Sequence, residues 1–137
     1  MIVVDASVAV PALGGVGGRS QRALHRVLRE PALAPHLLDL EVASAFRGMH
    51  RRGEMSDANV RRGLRHLARI RIRRVDHTPL IERCWELQEN LTPYDASYVA
   101  LAELTGATLL TSDAPLARAP GIRCDIEMFD PPPEAAK

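Results

Sequence analysis

Four acidic residues interrupt otherwise apolar stretches of this sequence. Asp5 closes the run Ile2, Val3, Val4. Glu41 falls on a face shared by Leu38, Val42, Ala45 and Phe46, Asp95 is followed by Ala96, Tyr98, Val99 and Leu101, and Asp113 comes after Leu109, Leu110 and Thr111. Carboxylates gathered in one partly buried cleft repel one another and either take up protons or recruit a cation. Mg2+ or Mn2+ suits such a set, because a hard ion takes a few carboxylates directly and keeps waters at about 2.1 Å for chemistry. An ion of this kind activates water and stabilises charge at a phosphoryl centre, and two ions about 4 Å apart serve both halves of an in-line displacement. Phosphodiester hydrolysis is the reaction class these residues suggest. Each acid also has a purely structural reading. Asp5 and Asp113 suit helix N-caps, Glu41 suits a first helical turn, and Thr92-Pro-Tyr-Asp95 has the form of a capping box with proline at the first helical position.

The elements needed to bring these acids together can be read in order. Residues 2–4 are β-favouring and apolar on consecutive positions, the pattern of a central strand buried on both faces. Residues 6–13 read as a short helix carrying Pro11, and residues 20–29 as an amphipathic helix with Ala23, Leu24, Val27 and Leu28 inward. A brief strand fits residues 32–34. Residues 36–52 form a strong helix ended by Gly53, and Glu41 lies one turn from both Leu38 and Ala45, which turns it toward the core. The next helix opens at Ser56 or Asp57, buries Val60, Leu64, Leu67 and Ala68, and displays Arg61, Arg62, Arg65 and Arg69.

Alternating apolar and Arg residues over 70–75 suggest an edge strand with one wet face. A helix over 79–90 turns Leu80, Cys84, Leu87 and Leu91 inward with Ile81 and Trp85 beside them, Trp85 reading as core or dimer interface. Residues 93–104 carry few polar side chains and must be packed nearly all round. Strands over 107–111 and, more weakly, 126–129 complete the set. Strands alternating with helices imply an α/β fold, a parallel sheet with right-handed crossovers and helices on both faces. In such a sheet the strand ends and the starts of the following helices share one edge, where all four carboxylates can meet.

Length and composition fit this outline. The 137 residues suffice for one domain with its own core, expected over 1–130, followed by a proline-rich tail at 131–137 that reads as frayed. A net charge of +1 supplies no global field for nucleic acid or membrane. Seventeen of the 18 basic residues are Arg, and ten of these lie between positions 47 and 74, a row that fits either a solvated face or contacts to RNA phosphates. Cys84 and Cys124 lack metal or disulfide spacing, and His25, His36, His50, His66 and His77 show none either. The run 6–13 is too short to span a bilayer and has no basic leader before it, so a cytoplasmic protein is expected. Gly14-Gly-Val-Gly-Gly18 lacks the Gly-Lys-Ser/Thr of a phosphate loop and reads as a flexible connector.

Four short stretches carry a resemblance. Val3-Val-Asp-Ala-Ser7, Leu40-Glu-Val42, Thr92-Pro-Tyr-Asp-Ala-Ser97 with Val99-Ala-Leu-Ala102, and Leu110-Thr-Ser-Asp113, in this order and at these distances, resemble PIN-domain ribonucleases, specifically the VapC toxins of prokaryotic toxin–antitoxin pairs. The resemblance spans residues 1 to about 130 and implies a PIN-like three-layer sandwich on a parallel sheet of about five strands. It also implies a homodimer, Mg2+- or Mn2+-dependent endoribonuclease activity and a VapB-type antitoxin. Carried onto this sequence, Asp5, Glu41, Asp95 and Asp113 become the catalytic quartet. Asp5 and Asp95 would bind metal directly; Asp113 would join them at the metal, and like Glu41 it would act through water, a second ion or solvent around the first. Ser7, Thr111 and Ser112 would be hydroxyls that orient the carboxylates. Alternatives are a catalytically silent PIN-like binding module and a housekeeping nuclease without an antitoxin. A haloacid-dehalogenase-like phosphatase or a receiver domain fits poorly, since both use a site lysine and the only Lys here is Lys137.

Overall fold

The computed structural model describes residues 1–130; the expected tail at 131–137 lies outside the described residues. Five parallel strands, β1 (Ile2–Val4), β2 (Ala32–Pro35), β3 (Ile72–Val75), β4 (Thr108–Thr111) and β5 (Ile126–Met128), form one sheet in the order β3-β2-β1-β4-β5. The apolar run at 2–4 is therefore the central strand, buried throughout, and the Arg-alternating segment is an edge. Helices α1 (Ala6–Gly14) and α2 (Gly18–Leu28) link β1 to β2, and α3 (Leu37–Arg51) and α4 (Asp57–Arg69) link β2 to β3. A 3-10 turn at Thr78–Leu80, α5 (Ile81–Glu86) and α6 (Pro93–Thr105) lead to β4, and α7 (Ala114–Ala117) leads to β5. The chain moves outward from β1 to β3, then returns across β1 to β4 and β5. Right-handed crossovers put α1–α4 on one face and α5–α7 on the other, with the reversal between β1 and β4.

The local reasons are visible at the caps. Ser56 and Thr92 each accept the N–H three residues on, opening α4 and α6, and Gly106 closes α6 in the left-handed region at φ 71°. All seven residues from Ala96 to Ala102 are buried, as their composition demands. Gly14 and Gly63 flank Phe46: a Cβ on Gly63 would lie 2.8 Å from Cε2 of that ring, and Cε1 bars one on Gly14. This close approach draws α1, α3 and α4 together. Gly14 ends α1 and Gly18 opens α2, so only residues 15–17 link the two helices, and Gly17 takes a φ of 89° that admits glycine most readily.

Several outward and inward assignments differ from the sequence expectation. The helix expected over 79–90 ends at Glu86, and Leu87 and Leu91 are buried from a turn. Ile81 and Trp85 face solvent, Trp85 at 68% exposure, so Trp85 is not core. Leu28 and Ala68 are also exposed, whereas Arg26 is buried. Arg26 turns inward because β5 meets it with Glu127: Nε donates to Oε2 at 2.6 Å and Nη2 to Oε1 at 3.0 Å. The cysteines are both free. No helix among the described residues is long and apolar enough to cross a membrane.

Candidate active site

The β1–β4 register builds the site's floor. Val4 pairs with Leu110, and the Asp5 N–H donates to the Leu110 carbonyl at 3.1 Å, so Asp5 and Thr111 leave the sheet side by side. Asp5 is only 5% exposed. Its Oδ2 accepts the Ser7 hydroxyl at 2.6 Å and the Thr111 hydroxyl at 2.8 Å. The Ser7 oxygen in turn accepts the Ser112 N–H at 2.8 Å, and Thr111 Oγ1 accepts the Asp113 N–H at 3.0 Å. Asp5 occupies the cap position of α1 but makes no side-chain capping hydrogen bond there; its carboxylate is shared between the Ser7 hydroxyl on α1 and the Thr111 hydroxyl at the end of β4. Ser112 departs from expectation: its hydroxyl donates to the Phe129 carbonyl at 2.7 Å and steadies the end of β5, while only its N–H serves the site.

The other three acids arrive on separate elements. Asp113 is at once a cap and a site residue, its Oδ1 accepting the Leu116 N–H at 3.1 Å at the start of α7. The Asp95 N–H is taken by Thr92 Oγ1 at 3.2 Å, yet among the described residues the Asp95 carboxylate accepts no hydrogen bond, so the reciprocal half of a capping box is not formed. Glu41 lies beyond the first turn of α3 and is half-buried, its Oε1 accepting the Tyr98 hydroxyl at 2.5 Å. That tyrosine is a site residue the sequence reading missed. Its one signal was a phenol inside a helix that had to be apolar all round, where the hydroxyl requires a partner.

The four acids act on one another's charge. Burial raises Asp5 above the ordinary aspartate range; the Ser7 and Thr111 hydroxyls and the Ala6 N–H draw it back, and the charge of Asp113 pushes it up again. Glu41 is raised by burial, lowered by Tyr98, and raised further by Asp5 and Asp95. Burial also raises Asp95, with Asp5 and Asp113 adding to it. Burial and the bond to Glu41 hold the Tyr98 phenol far above its usual range, so it remains a donor. Among the described residues none of the four acids has a cationic partner; the ion pairs go to others, such as Arg74 with Asp39 and Arg83 with Glu103.

A cluster of mutually repelling oxygen donors without a counter-charge fits a hard divalent ion by its chemistry. Among the described residues, no three His, Cys, Asp or Glu side chains stand close enough to clasp an ion as arranged. One oxygen of each of three acids is already held, Asp5 Oδ2 by two hydroxyls, Glu41 Oε1 by Tyr98 and Asp113 Oδ1 by Leu116. Beside Glu41 a groove of about 470 Å³ runs along α3 past Ser44, Ala45 and Gly48 to Arg52. A cavity of about 560 Å³ lies elsewhere, along Ile81, Trp85 and Leu91.

Known proteins match this chain over most of its length. The PIN domain family matches residues 2–122. Ribonuclease VapC1 of Mycobacterium tuberculosis is 44% identical over 128 residues, covering 92% of this chain and 96% of the relative. Ribonuclease VapC9 of the same species is 40% identical over 126 residues, with coverage of 92% and 96%. The crystal structure of PAE2754 from Pyrobaculum aerophilum superposes with a TM-score of 0.69 at 30% identity, covering 90% of this chain and 87% of that one. Mycobacterium tuberculosis VapC20, described as a sarcin-ricin loop cleaving toxin, shares the fold with a TM-score of 0.66 at 17% identity, over 90% and 97% of the two chains. With that extent of identity across nearly the full length of both partners, this chain belongs to the PIN-domain family, among its VapC proteins.

Proposed function

We propose that this chain is a Mg2+- or Mn2+-dependent endoribonuclease and acts in the cytoplasm as the toxin of a toxin–antitoxin pair. What supports this reading is that Asp5, Glu41, Asp95 and Asp113 come from four elements and act on one another's charge, with no ion pair to any of them among the described residues. Asp5 and Asp95 are the direct ligands in this account, with Asp113 beside them. When bound, the ion supplies activation of water and charge stabilisation at phosphorus. The chain's own contribution is orientation: Ser7 and Thr111 fix the buried Asp5 carboxylate, and the Thr111 oxygen together with the cap of α7 fixes Asp113. Of the ten Arg between 47 and 74, Arg52, Arg61 and Arg74 are ion-paired. The other seven are exposed and available to RNA phosphates, without reading sequence.

Two surfaces suit the expected partners. A groove lined by Leu13, Leu24, Leu28 and Ile70 has a basic rim of His66, Arg69 and Arg71, and this combination fits an amphipathic acidic segment of a VapB-type antitoxin. The exposed Ile81, Trp85 and Leu104 on the adjacent helices α5 and α6 suit a homodimer contact. The test uses purified protein and single-stranded or loop RNA. Cleavage is expected with Mg2+ or Mn2+, and Asp5→Asn or Asp95→Asn should abolish it; cleavage undiminished in excess chelator, or by both variants, refutes the reading. Expression of the chain alone should arrest growth and co-expression of its antitoxin should relieve the arrest, whereas harmless expression of an RNA-cleaving chain would mark a housekeeping nuclease.

A further inference from the structure

Helix α6 contributes to the site twice. Asp95 and Tyr98 are three residues apart, so they project from one face of the helix, one turn from each other. The Tyr98 ring is wholly buried, and its hydroxyl emerges only at Oε1 of Glu41, 57 residues away in sequence on α3. Glu41 receives no other hydrogen bond from the described residues, and the charges of Asp5 and Asp95 repel it. A glutamate side chain has several rotatable bonds and, half-buried at the rim, is free to swing toward water to escape that repulsion. The Tyr98 hydroxyl is the contact that opposes this escape. It occupies Oε1 and leaves Oε2 facing no donor among the described residues. A phenylalanine would fill the same core volume, so the hydroxyl is not needed for packing.

We propose that Tyr98 is a positioning residue, holding Glu41 by one oxygen so that the other is presented to a divalent cation or to its bound water. This rests on the metal-dependent reading of the carboxylate cluster. Because Tyr98 acts only through Glu41, its contribution must disappear when Glu41 cannot serve as a carboxylate.

The experiment is a two-by-two set of Tyr98→Phe, Glu41→Gln and the double variant. Mg2+ and Mn2+ affinity is measured calorimetrically on the full chain, with steady-state RNA cleavage alongside. Tyr98→Phe should weaken metal binding by about tenfold, the lower end for partners that orient a ligand, and lower kcat while leaving KM for RNA unchanged. In the Glu41→Gln background the same change should have no further effect. Glu41→Asp, which keeps the charge but withdraws it from the phenol by one methylene, should reproduce the loss and serves as the second route should Tyr98→Phe fold poorly. Unchanged metal affinity in Tyr98→Phe, or an equal loss in both backgrounds, overturns the proposal while leaving the metal reading intact. A wild-type chain that binds neither ion overturns both.

Discussion

Asp5→Asn should stabilise the metal-free protein while removing its response to Mg2+. The substitution keeps the shape of the side chain, and the Ser7 and Thr111 hydroxyls that donate to Oδ2 at 2.6 and 2.8 Å can donate equally to an amide oxygen. What it removes is a charge that burial disfavours and that Asp113, Glu41 and Asp95 share. Relieving a functional-site conflict of this kind typically returns about 1–2 kcal/mol, which for a chain of this length raises Tm by roughly 4–8 °C. The pH dependence follows from linkage. Asp5, Glu41 and Asp95 are raised in the folded state, so the native protein binds more protons than the unfolded chain, and its stability falls as pH rises through their folded pKa values. Metal-free wild type should therefore gain stability as pH falls from 7.5 toward 5. Below that it should lose stability, as ion-paired acids such as Glu127 and Glu30, which are lowered, become protonated. The variant should show a shallower gain over the same window. In wild type, free Mg2+ at ten times its Kd should add about 1.4 kcal/mol; in the variant it should add nothing measurable. Thermal unfolding at pH 5, 6 and 7.5, in chelator and in Mg2+, reads all of this. A variant less stable than wild type in chelator at pH 7.5, or one with an undiminished Mg2+ response, refutes the reasoning.

Thr111→Val keeps the volume of a fully buried side chain but removes both the donor to Asp5 and the acceptor of the Asp113 N–H. Loss of about 1.5–3 kcal/mol is expected from urea unfolding, and a loss below about 0.5 kcal/mol, the range of an indifferent surface change, would deny Thr111 its part in the site. Gly63→Ala introduces a Cβ 2.8 Å from Cε2 and 3.0 Å from Cζ of Phe46 and should cost about 1–3 kcal/mol of stability. Combining it with Phe46→Leu should recover part of that cost, and strict additivity of the two changes would show that the clash is not the cause.

Much of this site is legible in the sequence because each acid is locally anomalous. Asp5 ends a run with no polar residue to alternate with, which marks both a central strand and a carboxylate at its end. Asp95 opens a helix whose next seven residues are all buried, so the capping reading had to compete with a site reading from the start. The capping alternatives resolve differently for each residue: Asp113 does cap α7, Asp5 caps nothing, and Thr92 does the capping at α6. The missed features depend on partners far away along the chain. Burial of Arg26 has no local signal, because its acceptor, Glu127, is 101 residues on. Tyr98 looked like core because Glu41 is 57 residues back. Leu87 and Leu91 kept an apolar signal alive after α5 had ended, since a turn can bury side chains as well as a helix can.

The pairing of β1 with β4 has a consequence for how the chain is made. Asp5 and the Thr111 hydroxyl that holds it are 106 residues apart, and closing so long a loop precedes any reward from the contact, which makes such pairings slow. Asp5 is synthesised 106 residues before Thr111, so its carboxylate has no complete surroundings until β4 has been made and docked against β1. A nascent or broken chain lacking residues beyond about 107 carries the first two acids and Asp95 without the strand that gathers them. Until β4 docks against β1, Asp5 lacks the Thr111 hydroxyl that holds its carboxylate, and Asp113 lacks the Thr111 oxygen that accepts its N–H.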